Sequence, residues 1–300
     1  MTPSLAIVVC SRDRPQLLAA TLGAIEGQHA DDVLVVDSAS RTDGTAAAAA
    51  GAGVRCVRVD EPGLARARNA GLRATDADIV AFTDDDCEPE AGWAAAVRSA
   101  FDERTAFVLG RVVALGGAEQ PVVQLETTAR VLSAGDDVMR MGHGANFSVA
   151  REAWTALSGF DELLGAGGRF RAGEDTDFLW RALHAGWVGR FEPSAAVGHR
   201  VWRGRREAFR TMYGYGVGQG AVATKVRRLG GRDAVRTLSG GTASRALGQA
   251  WRDLRAGYQF GAVAGLGWAV GAVRGQLGAA TLALEDGHLR TRQRVRSAGS

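Results

Sequence analysis

Three consecutive carboxylates, Asp84, Asp85 and Asp86, follow an apolar run in the stretch "DIVAFTDDDCEPE". Like charges about 4 Å apart repel by roughly 1 kcal/mol in water and about 4 kcal/mol at a partly shielded site, so such a triplet calls for a counter-charge. A divalent cation is the leading candidate, because Mg²⁺ and Mn²⁺ take oxygen ligands from one or two carboxylates together with substrate phosphates. A second acidic group, "GEDTDF" (173–178), heads a helical pattern. There Glu174 and Asp175 suit either helix capping or acid–base work. Further polar groups stand at the ends of other apolar runs: Ser11 and Arg12 after "LAIVVC", and Asp37 after "DVLVV".

The elements that must position these groups read as a β/α alternation. "LAIVVC", "DVLVVD", "VRCVRV" and "DIVAFT" are short β-rich runs bounded by polar turns,. Helical stretches lie between them, the first with Pro15 in its opening turn,. Near-continuous apolar strands imply an α/β fold with a mostly parallel sheet covered on both faces. In such sheets ligands sit at the carboxyl ends of the strands, where the polar groups above converge. Further on, "FVLGRVVAL" and "GHGANFSVA" read as strands, "REAWTALSG" as a helix stopped by Gly159, and "LLGAGGRFRAG" as a mobile Gly-rich loop,. "EDTDFLWRALHAG" reads as a helix, then "GRFEP" as a short strand leading to "AAVGHRVW".

Composition narrows the function classes. At 300 residues, 46% hydrophobic and 23% charged, the chain is long enough for one large domain plus an appendage,. A net charge of +3 is too mild to indicate nucleic-acid binding,. Cys10, Cys56 and Cys87 are odd in number and far apart, which excludes a disulfide framework and fits a reducing cytoplasm,. The apolar stretch near the N-terminus reads as a first strand, being too short for a signal-peptide core.

The character changes near residue 200, which divides the chain into 1–200 and a basic, Gly-rich helical region, 201–300. Residues 200–236 carry ten basic side chains against Glu207 and Asp233. Residues 256–273 are uncharged and just reach membrane-span length, with Gly257, Gly261 and Gly265, then Gly267, Gly271 and Gly275, recurring every fourth position,. Abundant glycine with little Leu or Ile favours a helix packed on the domain, or on a partner subunit in a homo-oligomer, over a bilayer span. Peripheral contact with an anionic membrane surface also fits the basic run.

In order along the chain, "VVCSRDRP", "VLVVDSASRTDGT", "GLARARNAG", "VAFTDDDCEPE", "GANFSVAREAWTALSGFDE", "GEDTDFLWRALHAG" and "FEPSAAVGH" resemble the family 2 glycosyltransferases,. The resemblance spans about residues 4–200. It implies a GT-A, Rossmann-like fold and a metal-dependent, inverting hexosyl transfer from a nucleoside-diphosphate sugar to an acceptor hydroxyl. By resemblance to the family's DxD motif, Asp86 binds Mn²⁺ or Mg²⁺, and Asp84 and Asp85 contact the ribose or orient the metal site. His199 is implied as a further metal ligand, with a structural histidine as the competing reading. Asp37 suits a base edge such as the uracil imide, while Ser11, Arg12, Arg68 and Asn69 frame the nucleotide. Asp175 is the candidate base for the acceptor hydroxyl, Glu174 contacts acceptor or donor sugar, and Asn146 either bonds sugar hydroxyls or serves as a structural amide. UDP is the expected nucleotide, with GDP and dTDP as alternatives. The acceptor stays open between a small molecule and a lipid-linked glycan.

A dinucleotide oxidoreductase would need GxGxxG where this chain has "CSRDRPQ", so that class is excluded,. The rival from another class is a non-catalytic carbohydrate- or lipid-headgroup-binding protein on the same scaffold.

Overall fold

The structure, a computed structural model, describes residues 2–115, 125–138, 144–200, 205–234, 243–255 and 259–291. His143 and Trp202 lie outside the described residues. The first half alternates β1 (Leu5–Ser11), α1 (Pro15–Ile25), β2 (Asp32–Ser38), α2 (Gly44–Gly51), β3 (Arg55–Val59), α3 (Leu64–Arg73) and β4 (Ile79–Asp84). Then come β5 (Cys87–Pro89), α4 (Trp93–Ser99), β6 (Thr105–Leu115), β7 (Arg130–Leu132), β8 (Asn146–Ala150), α5 (Arg151–Ala156), α6 (Glu174–His184) and β9 (Val188–Arg200). The C-terminal part supplies α7 (Arg205–Ala234), α8 (Ala243–Arg255), α9 (Gln259–Ala280) and the hairpin β10 (Ala283–Glu285) and β11 (His288–Arg290).

The large sheet runs β3-β2-β1-β4-β8-β6-β9-β5, with β7 pairing to β9 off that path. Its β3-β2-β1-β4 half is parallel, and β8 joins it antiparallel. Every residue of β1 is buried, as expected of a central strand covered on both faces,. Its alternate side chains feed two cores. Leu5, Ile7 and Val9 pack with Leu18, Leu22 and Trp93, while Ala6, Val8 and Cys10 face the side filled by Phe82, Phe147, Phe160 and Phe178,. The last four rings make edge-on and tilted contacts at 4.9–6.0 Å, geometry favoured by their quadrupoles,.

The break expected between "GRFEP" and "AAVGHRVW" is absent. β9 is one strand, and its register against β6 jumps from Glu192↔Gly110 to Ala196↔Arg111. Pro193, which has no N–H to donate, falls within that skipped stretch, so the irregularity absorbs it without ending the strand. The Gly-rich loop is also folded rather than open. Ala166 accepts the Leu64 N–H at 2.8 Å, tying the loop to the start of α3.

Among the described residues no helix is long and apolar enough to cross a membrane. The glycine spacing of α9 serves helix packing instead. A Cβ on Gly271 or Gly275 would run into the backbone of α7, and one on Gly216 or Gly220 of α7 into that of α9. Gly265 packs closely on the Ala250 side chain of α8; Gly257 lies outside the described residues.

Candidate functional site

β1 and β4 are neighbours in register, Cys10 opposite Asp84, so their carboxyl ends deliver Ser11 and the acidic triplet to one place. A cavity of about 500 Å³ opens there. Six of the expected site residues line it: Ser11, Arg12, Arg68, Asp84, Glu174 and Asp175. Tyr215 and Gln219 of α7 and Trp268 of α9 complete its wall. The C-terminal helices therefore belong to the site, a role for which "YGYGVGQG" and "GLGWAV" carry no local sign.

Behind this cavity lies a buried acidic pocket. Asp85 and Asp86 are shielded from solvent, and Ser11 donates its hydroxyl to Asp85 at 2.7 Å. Arg14, missed at the sequence level although only two residues beyond Arg12, places one guanidinium nitrogen 3.1 Å from Asp85 and 3.2 Å from Asp86. Burial pushes the Asp85 carboxyl up to about 7, against the pull of Arg14 and Ser11,. The antiparallel pairing of β5 with β9 sets Cys87 opposite His199, which brings His199 Nε2 to 3.5 Å from Asp86 Oδ1.

The ligand atoms of Asp86, Cys87 and His199 lie within 4.8 Å of one another. A carboxylate and an imidazole side by side fit a borderline-hard divalent cation such as Mn²⁺,. Burial and the charges of Asp84 and Asp86 push the Cys87 thiol far above its ordinary value, so its sulfur is a poor thiolate ligand,.

Other expected residues are placed differently. Arg68 is fully buried; it donates to Glu174 at 2.7 Å and to the Gly144 carbonyl at 2.7 Å, and lies 4.0 Å from Asp84. The phenyl rings of Phe82 and Phe147 flank it at 5.5 and 5.9 Å,. Its charge is thus matched by protein carboxylates. Asn69 does not face the cavity. It accepts from the Phe160 N–H and Trp154 Nε1 and donates to Phe160 O and Glu162, which clamps α3 to the loop before α6. Asn146 is engaged within the protein: it donates to Arg111 O and Ala195 O and accepts from Trp93 Nε1 at 2.9 Å. Asp37 is buried with Oδ1 accepting the Ser40 N–H and Oδ2 paired to Arg58, so both acceptor oxygens are engaged within the protein.

Glu174 and Asp175 open α6 directly after Gly173, whose φ of 92° lies in the left-handed region that glycine tolerates,. Burial and the neighbouring Asp175 charge push the Glu174 carboxyl up to about 7, against Arg68. Asp175 Oδ1 accepts the Thr176 N–H at 2.7 Å. Thr176 in turn is tied to α7 by Gln219 at 3.1 Å.

One turn below, Asp177 anchors α6 to the C-terminal region. Lys225 of α7, the only lysine in the chain, is fully buried between Asp161 Oδ2 at 2.8 Å and Asp177 Oδ1 at 2.7 Å. Arg181 bonds the other Asp177 oxygen at 2.9 Å, and Asp161 also accepts the Leu289 N–H of β11. Burial acts to raise Asp177, but Lys225 and Arg181 outweigh it and hold the carboxyl below its ordinary value,. Composition marks Lys225 as singular without revealing that three elements close around it.

The model of glycosyl transferase family 2 matches residues 6–149. Pre-mycofactocin glycosyltransferases from two Mycobacterium tuberculosis strains, CDC 1551 / Oshkosh and ATCC 25618 / H37Rv, are 32% identical over 219 residues, covering 68% of this chain and 42% of theirs. The chain thus spans less than half the length of the curated relatives it matches. Among solved structures, the mannosyltransferase PcManGT from Pyrobaculum calidifontis, in complex with GDP-Man and Mn²⁺, aligns with a TM-score of 0.63 at 18% identity. That alignment covers 92% of this chain and 88% of that one, a likeness of fold.

Proposed function

Because the family-model match over residues 6–149 and the 32% identity across 68% of its length place this chain in glycosyl transferase family 2, we propose that it moves a sugar from a nucleoside-diphosphate sugar to an acceptor hydroxyl. The observation that carries the reading is the cavity of about 500 Å³ where Asp84, Arg68, Glu174 and Asp175 meet, backed by the Asp86 and His199 pair. Asp86 and His199 would hold Mn²⁺ or Mg²⁺, which when bound supplies positive charge to the departing diphosphate. Arg12, exposed at the cavity, lies where it can meet the phosphates,.

Asp175 takes the acceptor hydroxyl's proton as that oxygen attacks the anomeric carbon, a single displacement that inverts configuration. Its Oδ1 is held by the Thr176 N–H, and its Oδ2 lies toward Gly144 on the cavity wall. Held by Arg68, Glu174 shapes the adjoining sugar pocket. Because α7 and α9 wall the cavity, the region from 201 onward helps enclose the acceptor, while 1–200 carries the donor machinery and the base Asp175. UDP-sugars are the first donors to assay. GDP-mannose is the second, since the similarly folded PcManGT was solved with it.

The full chain incubated with a panel of nucleotide sugars and Mn²⁺ should release nucleoside diphosphate. Asp175→Asn should lower kcat by about 10²–10⁴-fold at an unchanged unfolding temperature. Undiminished turnover in that variant removes Asp175 from the role, and turnover indifferent to EDTA removes the metal.

A further inference from the structure

α8 and α9 carry an apolar face that nothing in the described protein covers. On α8, Leu247, Trp251 and Leu254 recur at helical spacing and are about half exposed. On α9, Val263, Leu266, Val270, Val273 and Leu277 recur at alternating steps of three and four, with exposures from 46% to 67%,.

Helical geometry puts both stripes on one side. Gly265 of α9 faces Ala246 and Ala250 of α8, and Gly271 and Gly275 face α7. At roughly 100° per residue, the α9 stripe centres about 120° from Gly265 and points away from α7, while the α8 stripe centres about 90° from its Ala246–Ala250 contact. The two helices run antiparallel, so these turns open in the same direction and the stripes merge into one patch. Monomers rarely leave contiguous apolar patches of this kind exposed.

We propose that this α8–α9 face docks the protein onto an anionic lipid bilayer surface. Charge points to that occupant. Residues 1–200 carry 19 basic and 28 acidic side chains, whereas residues 201–300 carry 17 basic and only 5 acidic. The sequence of α9 contains no Asp or Glu. Exposed arginines border the patch on α8: Arg255 stacks on Trp251 at 4.8 Å, with Arg252 beside it. Apolar residues rimmed by arginine are the arrangement of helices that lie in the headgroup layer. No helix of the described protein can cross the bilayer, so docking is along the surface. A second copy seated on the same face would bring its arginines toward these ones, which like-charge repulsion opposes. The proposal stands independently of the transferase reading.

The test is flotation of the full chain with vesicles of phosphatidylcholine alone and of phosphatidylcholine mixed with phosphatidylglycerol. The chain should float with the anionic vesicles, less so at high salt, and remain behind with the neutral ones. The double variant Leu266→Glu/Val270→Glu alters only exposed side chains. It should keep the wild-type unfolding temperature and lose at least about tenfold in vesicle partitioning. Arg252→Glu/Arg255→Glu should lose the preference for anionic vesicles. The proposal is overturned if the wild type ignores anionic vesicles at low salt, or if the Leu266/Val270 variant floats undiminished. It is equally overturned if sedimentation shows a stable dimer that this variant converts to monomers, since the face then belongs to a second copy.

Discussion

Replacing Lys225 by methionine should cost the protein about 3 kcal/mol of stability, through charge rather than shape. Methionine nearly matches the lysine stem, so little cavity is created. What changes is that Asp161 and Asp177, both buried, lose an ammonium lying 2.8 and 2.7 Å away. Removing one partner of a buried ion pair typically costs about 3–5 kcal/mol. The lower end applies because Asp177 keeps Arg181 and Asp161 keeps the Leu289 N–H. Equilibrium urea unfolding near neutral pH, without metal or donor, measures the difference.

Its pH dependence separates the causes. In the wild type the Asp177 carboxyl is held below its ordinary value, so its contribution is present above the unfolded pKa and lost only as the pH falls below it,. Without Lys225, burial acts on Asp177 with one cation fewer and its pKa rises,. The folded variant then takes up protons on acidification, and its deficit should shrink between about pH 8 and about pH 5. A deficit under about 1 kcal/mol, or one constant over that range, would refute the claim that the buried charges govern this junction.

Glu174→Gln should flatten the stability profile at moderately acid pH. The folded pKa of Glu174, about 7, lies above the ordinary 4.5, so the folded state holds a proton that the unfolded chain has released,. Wild-type stability contributed by this group is full below about 4.5 and lost as the pH rises through about 7; an unchanged profile in the glutamine variant counts against it. Gly220→Ala drives a methyl into the Ala272 carbonyl and should lower stability by about 1–3 kcal/mol in thermal unfolding,. Gly23→Ala, in α1 with open space around it, should instead raise stability by about 0.5–1 kcal/mol,. Equal effects at these two glycines would show that α7 and α9 are not closely packed.

Much of the site was legible because local pattern places it. An apolar run ending in Asp84-Asp85-Asp86 announces a strand whose carboxyl end is acidic, and β4 does end at Asp84. An acidic start to a helical period announces Glu174 and Asp175, and α6 begins there. What pattern cannot convey is which distant backbone lies alongside. The β5–β9 register carries His199 to Asp86, and the same long-range closure turns Asn69 and Asn146 into internal clamps.

Local residue order suffices for the α/β alternation, the glycine spacing of α9 and the residue types available at each strand end, because these depend on periods of two and near four along a short stretch. Tertiary structure alone decided that Lys225 would be sealed between Asp161 and Asp177, that Tyr215 and Trp268 would wall the cavity, and that Arg68 would face Glu174. The physical reason is that burial and charge pairing arise only where chain segments tens of residues apart pack together, and no local window contains both partners.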